Sequence, residues 1–285
     1  LPILLGAGNV IYASKVNEYQ NFSYFEEVTF ESTEILPSDE WENEEVPEYV
    51  TVSSSTQQVG ASSAMKLKLA TDEDEIVQWM LSAQGLHVGT ATSEWYMPEG
   101  VDATNVQIHM IGRTGSARMK PRFCDGRVLF VTGNRRQIFA IDPQNPAGAT
   151  SMTDHAEDLF TSDIIALDFR QYPTPEVFVV LANGQSLRGR MGPSGVYGWS
   201  QIVTHPDDLI LDVVVTFSGD EDAVFFLTSR TGNGTTKTCL ERLYSDDSTS
   251  FAGRRYLDSS VYAATTGNSL AGLTRFYGKS PVEAR

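Results

Sequence analysis

The chain has 285 residues, a mass of 31.4 kDa, a formal net charge of −16 and a pI of about 4.6. That length can bury a large core, as one big all-β domain or two smaller ones. The charge disfavours non-specific binding to nucleic acid but leaves room for a local basic patch, and no apolar run approaches the length of a membrane span.

Leu1-Pro-Ile-Leu-Leu5 is too short, and lacks the basic flank, for a signal peptide. The sequence starts without Met on strand-like residues, so it is expected to be a portion of something longer. Asn9–Val16 reads as a strand, and Asn17–Phe25 as a polar turn carrying aromatics. Between Val16 and Met65 there is no Lys or Arg. Acids accumulate there instead, most densely at Asp39, Glu40, Glu42, Glu44, Glu45 and Glu48. Carboxylates at that spacing repel one another, so residues 31–60 read as an exposed acidic insertion or a partner-binding arm. Calcium is an alternative for such a cluster, but the residues do not match the EF-hand pattern of alternate acids, central Gly and terminal Glu.

Ser62–Leu69 alternates as a half-exposed strand. Thr71–Glu75 could cap a helical turn, but the Ile, Val and Trp that follow in Ile76–Leu81 favour a strand. Gly85–Thr90 and Glu94–Met97 form a hairpin pattern, and Val106–Ile111 alternates again. One basic segment follows: Arg113, Arg118, Lys120, Arg122, Arg127, Arg135 and Arg136, with Asp125 the only acid among them. In so acidic a chain this cluster should have a partner. The acidic loop of this subunit or of a neighbour would serve by charge. A nucleic-acid backbone is the alternative, weakened by the lack of regularly interleaved stacking aromatics.

Three further hairpins read Arg127–Thr132 to Arg135–Asp142, Glu176–Leu181 to Gln185–Met191, and Ala223–Arg230 to Thr236–Leu243. The middle one turns through Asn183-Gly184, a pair that readily takes positive φ at both positions. The hairpins recur at roughly 45–50 residues, the regular spacing of propeller blades. Asp154–Phe160 reads as a short helical turn or loop, and Asp163–Phe169, Tyr197–Val203 and Leu209–Phe217 as strands. Ser245–Phe251 is a polar loop, and Ser269–Tyr277 the last ordered candidate. Strands dominate and no amphipathic helix of ordinary length stands out. The expected class is all-β: a β-propeller-type array of small antiparallel sheets over 1–265, with the acidic insertion near its start and a C-terminal segment 266–285.

No chemistry announces itself. The Gly pairs at Gly6-Ala-Gly8 and Gly232-Asn-Gly234 lack the setting that cradles phosphate, and there is no Gly-x-Ser-x-Gly elbow. The four histidines, His87, His109, His155 and His205, show no metal-ligand spacing. Cys124 and Cys239 read as buried reduced thiols, with a single disulfide as the alternative. A propeller glycosidase would need two carboxylates across a cleft, and nothing in the sequence marks such a pair. Asn21-Phe-Ser23 and Asn233-Gly-Thr235 are glycosylation sequons only in a secretory compartment.

The segments Val10–Phe22, Leu86–Trp95, Arg127–Val131, Pro175–Gly184, Gly198–His205 and Leu240–Leu243, in that order, resemble the propeller-bearing nozzle or tail-tube proteins of short-tailed bacteriophages. The resemblance spans nearly the whole chain as a diffuse profile, and the acidic insertion departs from it. It implies a virion structural protein, made in the host cytoplasm and built into a ring, expected to be sixfold, below the portal and adaptor proteins. Such a ring would neighbour tail fibres or spikes and pass DNA transiently, without catalysis, cofactor, metal or membrane. In that family Gly272–Val282 would lead into a further domain. The interface candidates are then Arg113, Arg118, Lys120, Arg122, Arg135 and Arg136 on one side, and Asp39, Glu40, Glu42, Glu44 and Glu45 on the other. A carbohydrate-binding or glycan-cleaving β-propeller is the competing expectation.

Overall fold

The structure, a computed structural model, describes residues 4–7, 10–14, 20, 26–35, 49–58, 63–69, 75–192, 195–218, 221–232 and 234–243. Among these every regular element is a strand, and no helix is long and apolar enough to cross a membrane. The chain divides into two compact units, Leu1–Val77 with Tyr96–His109, and Gln78–Trp95 with Met110–Arg285.

In the first unit β1 (Leu4–Ala7), β2 (Val10–Ala13) and β5 (Met65–Lys68) form an antiparallel sheet in the order β1-β2-β5. Side chains alternate across it as a period of two requires. Ile11, Ala13 and Leu67 are buried, and Ile11 pairs directly with Leu67. On the other face Lys66 extends over the Tyr12 ring, 5.8 Å from its centroid. β3 (Glu26–Ile35) and β4 (Tyr49–Gln58) make a separate antiparallel ribbon paired from Glu26↔Gln58 to Ile35↔Tyr49. Part of the stretch expected to be an acidic loop is therefore strand. Its Val, Thr, Phe and Ile content suits a pleated backbone despite the acids. Asp39, Glu40, Glu42, Glu44 and Glu45 lie outside the described residues, as do the stretches 245–251, 266–285 and 269–277.

The second unit is a series of antiparallel meanders. β6 (Val77–Ser82), β7 (Leu86–Thr90), β8 (Glu94–Met97) and β9 (His109–Gly112) form the first, whose ends at Val77, Tyr96–Met97 and His109 belong to the other unit. β10 (Arg122–Cys124), β11 (Arg127–Val131), β12 (Ile138–Ile141) and β13 (Ala149–Ser151) form the second. β14 (Ile164–Arg170), β15 (Glu176–Leu181), β16 (Ser186–Gly192) and β17 (Gly195–Ile202) form the third. β18 (Leu209–Ser218), β19 (Glu221–Gly232) and β20 (Thr235–Arg242) form the fourth. First strands begin at Val77, Arg122, Ile164 and Leu209, so the repeat is about 42–45 residues. All four hairpins read from the sequence are present as β7–β8, β11–β12, β15–β16 and β19–β20. Val106–Ile111 yields a strand only from His109, and Asp154–Phe160 forms turns.

Successive sheets stack face to face in chain order. On β11, Val128 and Phe130 pack with Trp79 of β6, while Leu129 and Val131 face the opposite way, toward Ile164 and Leu167 of β14. On β15, Val177, Val179 and Leu181 share that second cluster, while Phe178 and Val180 pack against Ile210, Val213, Val224 and Phe226 of the fourth sheet. β15 is buried at every position because it is covered on both faces, which is why its sequence reads as an unbroken apolar run. Aromatic contacts add to the first and third junctions, Trp79–Phe130 at 5.4 Å and Phe178–Phe226 at 6.0 Å.

One backbone bond recurs at each junction. The turn between the second and third strands of a sheet offers a carbonyl to an N–H at or just before the first strand of the next. Ser116 N–H donates to Thr90 O at 2.8 Å, Ile164 N–H to Arg135 O at 2.8 Å, and Ile210 N–H to Gly184 O at 2.9 Å. The first strands also run alongside one another, β10 beside β14 and β14 beside β18.

Candidate functional site

The basic segment is spread over a loop, a strand and a turn. Arg113, Arg118 and Lys120 are exposed on the loop between β9 and β10. Arg135 and Arg136 occupy the β11–β12 turn, and Gly133 N–H donating to Gly115 O at 3.1 Å holds that turn against the loop. The positive φ of this turn falls on Arg135, at 58°, and Asn134 Oδ1 accepts from Thr132 Oγ1 at 2.6 Å and Arg136 N at 2.9 Å. The arginine guanidiniums nearest the next sheet are used within the chain. Arg136 Nε lies 3.1 Å from Asp163 Oδ1, with about half of each side chain exposed. Arg122 Nε lies 2.9 Å from Asp168 Oδ1 and donates to Leu167 O at 3.2 Å. The acidic partners proposed for the segment, Asp39 to Glu45, are outside the described residues. For Arg122 and Arg136 the partners are other acids, 46 and 27 positions further along the chain (168 − 122 and 163 − 136).

Asp168 is the hub of these ties. It is the third residue from the end of β14, in register with Phe178, so its side chain faces the fourth sheet. Its Oδ1 takes Arg122 from the second sheet and its own neighbour's Phe169 N–H at 2.9 Å, and its Oδ2 takes Val215 N–H of β18 at 2.8 Å. One carboxylate thus joins three first strands. A buried acceptor filled by an Arg and by backbone donors is stable only while all of them stay in place.

Other carboxylates also tie neighbouring sheets. Glu94 is buried at the start of β8, and its two oxygens accept from Thr114 N at 3.1 Å and Ser116 Oγ at 3.2 Å in the lead-in to the second sheet. Asp222 of β19 accepts from Gln171 N and Tyr172 N in the connection between β14 and β15, at 2.9 and 3.0 Å. Two clusters serve within sheets. Glu176, at the start of β15, is buried between Arg170 and Arg188, with Arg188 Nε at 2.7 Å. Arg170 also lies over the Phe178 ring, 5.7 Å from its centroid. Asp208 takes Arg230 Nη1 at 2.9 Å and Thr231 N at 2.8 Å, and Arg230 also binds Glu241. Sequence reasoning missed all of these. A lone acid inside a strand pattern was the available signal, and it does not name its partner.

His87 is buried and its Nε2 bonds Ala83 O at 3.1 Å; burial holds its pKa below the usual value, opposed by that bond. His109 and His155 are exposed, and His205 Nδ1 lies 3.7 Å from Asp207 Oδ2 within one turn. Both cysteines are free. Burial, reinforced by the Asp168 carboxylate, pushes the Cys124 thiol far above its ordinary range, so it is a core residue without thiolate chemistry. No group of three or more His, Cys, Asp or Glu among the described residues could hold a metal ion. What the geometry builds is a set of ties between sheets, with cationic side chains on one turn edge. No known family model matches the sequence, and no curated protein matches it either.

Proposed function

We propose that the protein is a structural component of a bacteriophage tail, a nozzle or tail-tube subunit forming a ring through which DNA leaves, and that its stacked sheets are the blades of a β-propeller-type array. The observation that carries this reading is the run of four consecutive antiparallel meanders, each packed face to face on the next and joined by the same turn-to-strand hydrogen bond. Radial repetition of small sheets protects strand edges, and such a body is a scaffold suited to being built into something larger. The order of segments that resembles the tail proteins supplies the biological context.

Physical arguments support the assembly role. Arg113, Arg118 and Lys120 are exposed in a chain of net charge −16, so they offer a neighbouring acidic copy a complementary surface. An acidic wall facing the lumen would let DNA slide without sticking. The portal and adaptor above, and fibres or spikes beside, are the neighbours this position implies. The buried carboxylates are engaged by arginines and backbone donors, an arrangement that favours a mechanical role over hydrolysis.

Negative-stain imaging of the purified chain tests the proposal, together with its solution mass. Ring-shaped particles are the expected result. A monomer at every concentration that binds a glycan array or releases sugar would overturn it in favour of the carbohydrate-directed propeller.

A further inference from the structure

A four-strand antiparallel meander returns the chain to the end of the sheet at which it entered. The connections between successive sheets therefore gather at one end of the stack, with the turns between second and third strands. Hydrogen bonds hold them there side by side. Gly133 N–H donates to Gly115 O at 3.1 Å, Ala182 N–H to Asp163 O at 2.7 Å, and Asn183 Nδ2 to Thr161 Oγ1 at 3.3 Å.

Charge is divided along this end. The connection 113–121, before the second sheet, holds Arg113, Arg118 and Lys120 and no acid. The connection 152–163, before the third sheet, holds Asp154, Glu157, Asp158 and Asp163 and no Lys or Arg. Asp163 is taken by Arg136. The other six are exposed, and none of them forms an ion pair with another described residue. Buried anchors fix the backbone under both sets. In the first connection Ala117 is in the core and its N–H donates to Val131 O at 2.9 Å. In the second Met152, Ala156 and Phe160 are in the same core, and Ala156 N–H donates to Thr153 O at 2.9 Å and Phe160 N–H to Glu157 O at 3.2 Å. A backbone already ordered loses less freedom on docking.

We infer that these two connections are the two halves of a contact between copies of this chain, with 113–121 of one copy against 152–163 of the next. A second copy is the occupant the charges select, because one chain carries three unpaired cations and three unpaired acids on separate loops of the same end. Complementary potentials of this kind steer encounter and fix register. The two surfaces differ, so the contact is head-to-tail, and repeating it from copy to copy closes a ring or runs on as a filament. This deepens the assembly reading of the chain, on which it rests, by naming the surfaces that meet.

Charge exchange in the full chain tests it. One variant carries Arg113→Glu, Arg118→Glu and Lys120→Glu, a second carries Asp154→Lys, Glu157→Lys and Asp158→Lys, and a third carries all six. Solution mass across a concentration series at physiological salt reads association, and thermal melts read folding. Where a triple variant melts early, Arg118→Glu and Glu157→Lys take the place of the two sets. Each set alone is expected to weaken self-association by at least about tenfold. The two variants are expected to associate with each other when mixed, and the third to associate as wild type does, because exchange restores the pairing. Reversal without loss would overturn the contact, and so would a loss that neither the mixture nor the third variant recovers. A wild type that stays monomeric overturns both this contact and the ring. Imaging the same samples separates the two otherwise: rings unaffected by reversal sink the contact alone, and association that obeys the exchange without forming rings sinks the ring alone.

Discussion

At the scale of single residues, stability depends on polar groups whose partners lie on other sheets. Replacing Asp168 by Ala removes the acceptor for Val215 N–H and leaves the half-buried Arg122 without its carboxylate. Breaking one side of such a network costs about 2–4 kcal/mol, well above a surface pair. Asp168→Ala is therefore expected to lower the unfolding free energy by that amount, read as a lower denaturant midpoint at unchanged slope, while Arg136→Ala, at an exposed pair, stays within about 1 kcal/mol of wild type. Equal effects from the two would contradict the hub role. His87 gives a second residue-scale expectation. Its folded pKa is depressed by burial, so the unfolded chain takes up a proton first as pH falls. The associated stability is complete above the unfolded value of about 6.5 and declines as pH drops below it. Thermal melts from pH 7.5 to 5.5 should show this loss, and His87→Gln should flatten the profile. An unchanged slope in the variant would assign the dependence elsewhere.

At the scale of elements, glycine under an aromatic is the recurrent local device. Gly89 on β7 sits beneath Trp79 of β6, and a Cβ there would come within 2.2 Å of the ring. Trp79 is 6% exposed and packs on Phe130 of the next sheet, so it has no room to yield. Gly192 on β16 sits equally close beneath Tyr197, but that ring is 69% exposed and can swing outward. Gly89→Ala is thus expected to cost about 1–3 kcal/mol as an overpacked core does and to shift tryptophan fluorescence. Gly192→Ala should cost clearly less in the same denaturation assay. The hairpins themselves were legible, because apolar runs broken by Asn-Gly or Gly-Asn carry a local signal. Their turn details were less so. Only Gly184 takes positive φ in its turn, and in the β11–β12 turn Arg135 does so instead of the glycine. β10 and β13, three residues each, are too short for periodicity to detect. The β3–β4 ribbon was hidden because acid density argued for a loop, while pairing depends on a partner strand that local composition does not reveal. The ties through Asp168 and Glu94 were illegible for the same reason, since they join residues that only the stacking of sheets brings together.

At the scale of the whole molecule, the question is what the cationic turn edge does in a chain of charge −16. Arg135 and Arg136 can be reversed together with little risk to the fold. At position 135 the backbone φ is positive whichever long side chain is present, so Glu carries the same strain as Arg. The Arg135 contribution to the junction is its carbonyl accepting Ile164 N–H, which substitution retains. At position 136 the pair with Asp163 is about half exposed, and such a pair contributes at most about 1 kcal/mol. The reversal does, however, turn two positive charges into negative ones on an already acidic surface, which opposes any contact with another acidic copy over the range of the Debye length. The double variant Arg135→Glu, Arg136→Glu is therefore expected to melt within a few degrees of wild type yet fail to form the assembled particle in solution-mass measurements at physiological salt. Raising the ionic strength should weaken wild-type assembly in the same direction. Undiminished particles from a folded double variant would remove this edge from the interface and leave the loop cations Arg113, Arg118 and Lys120 to be reversed next.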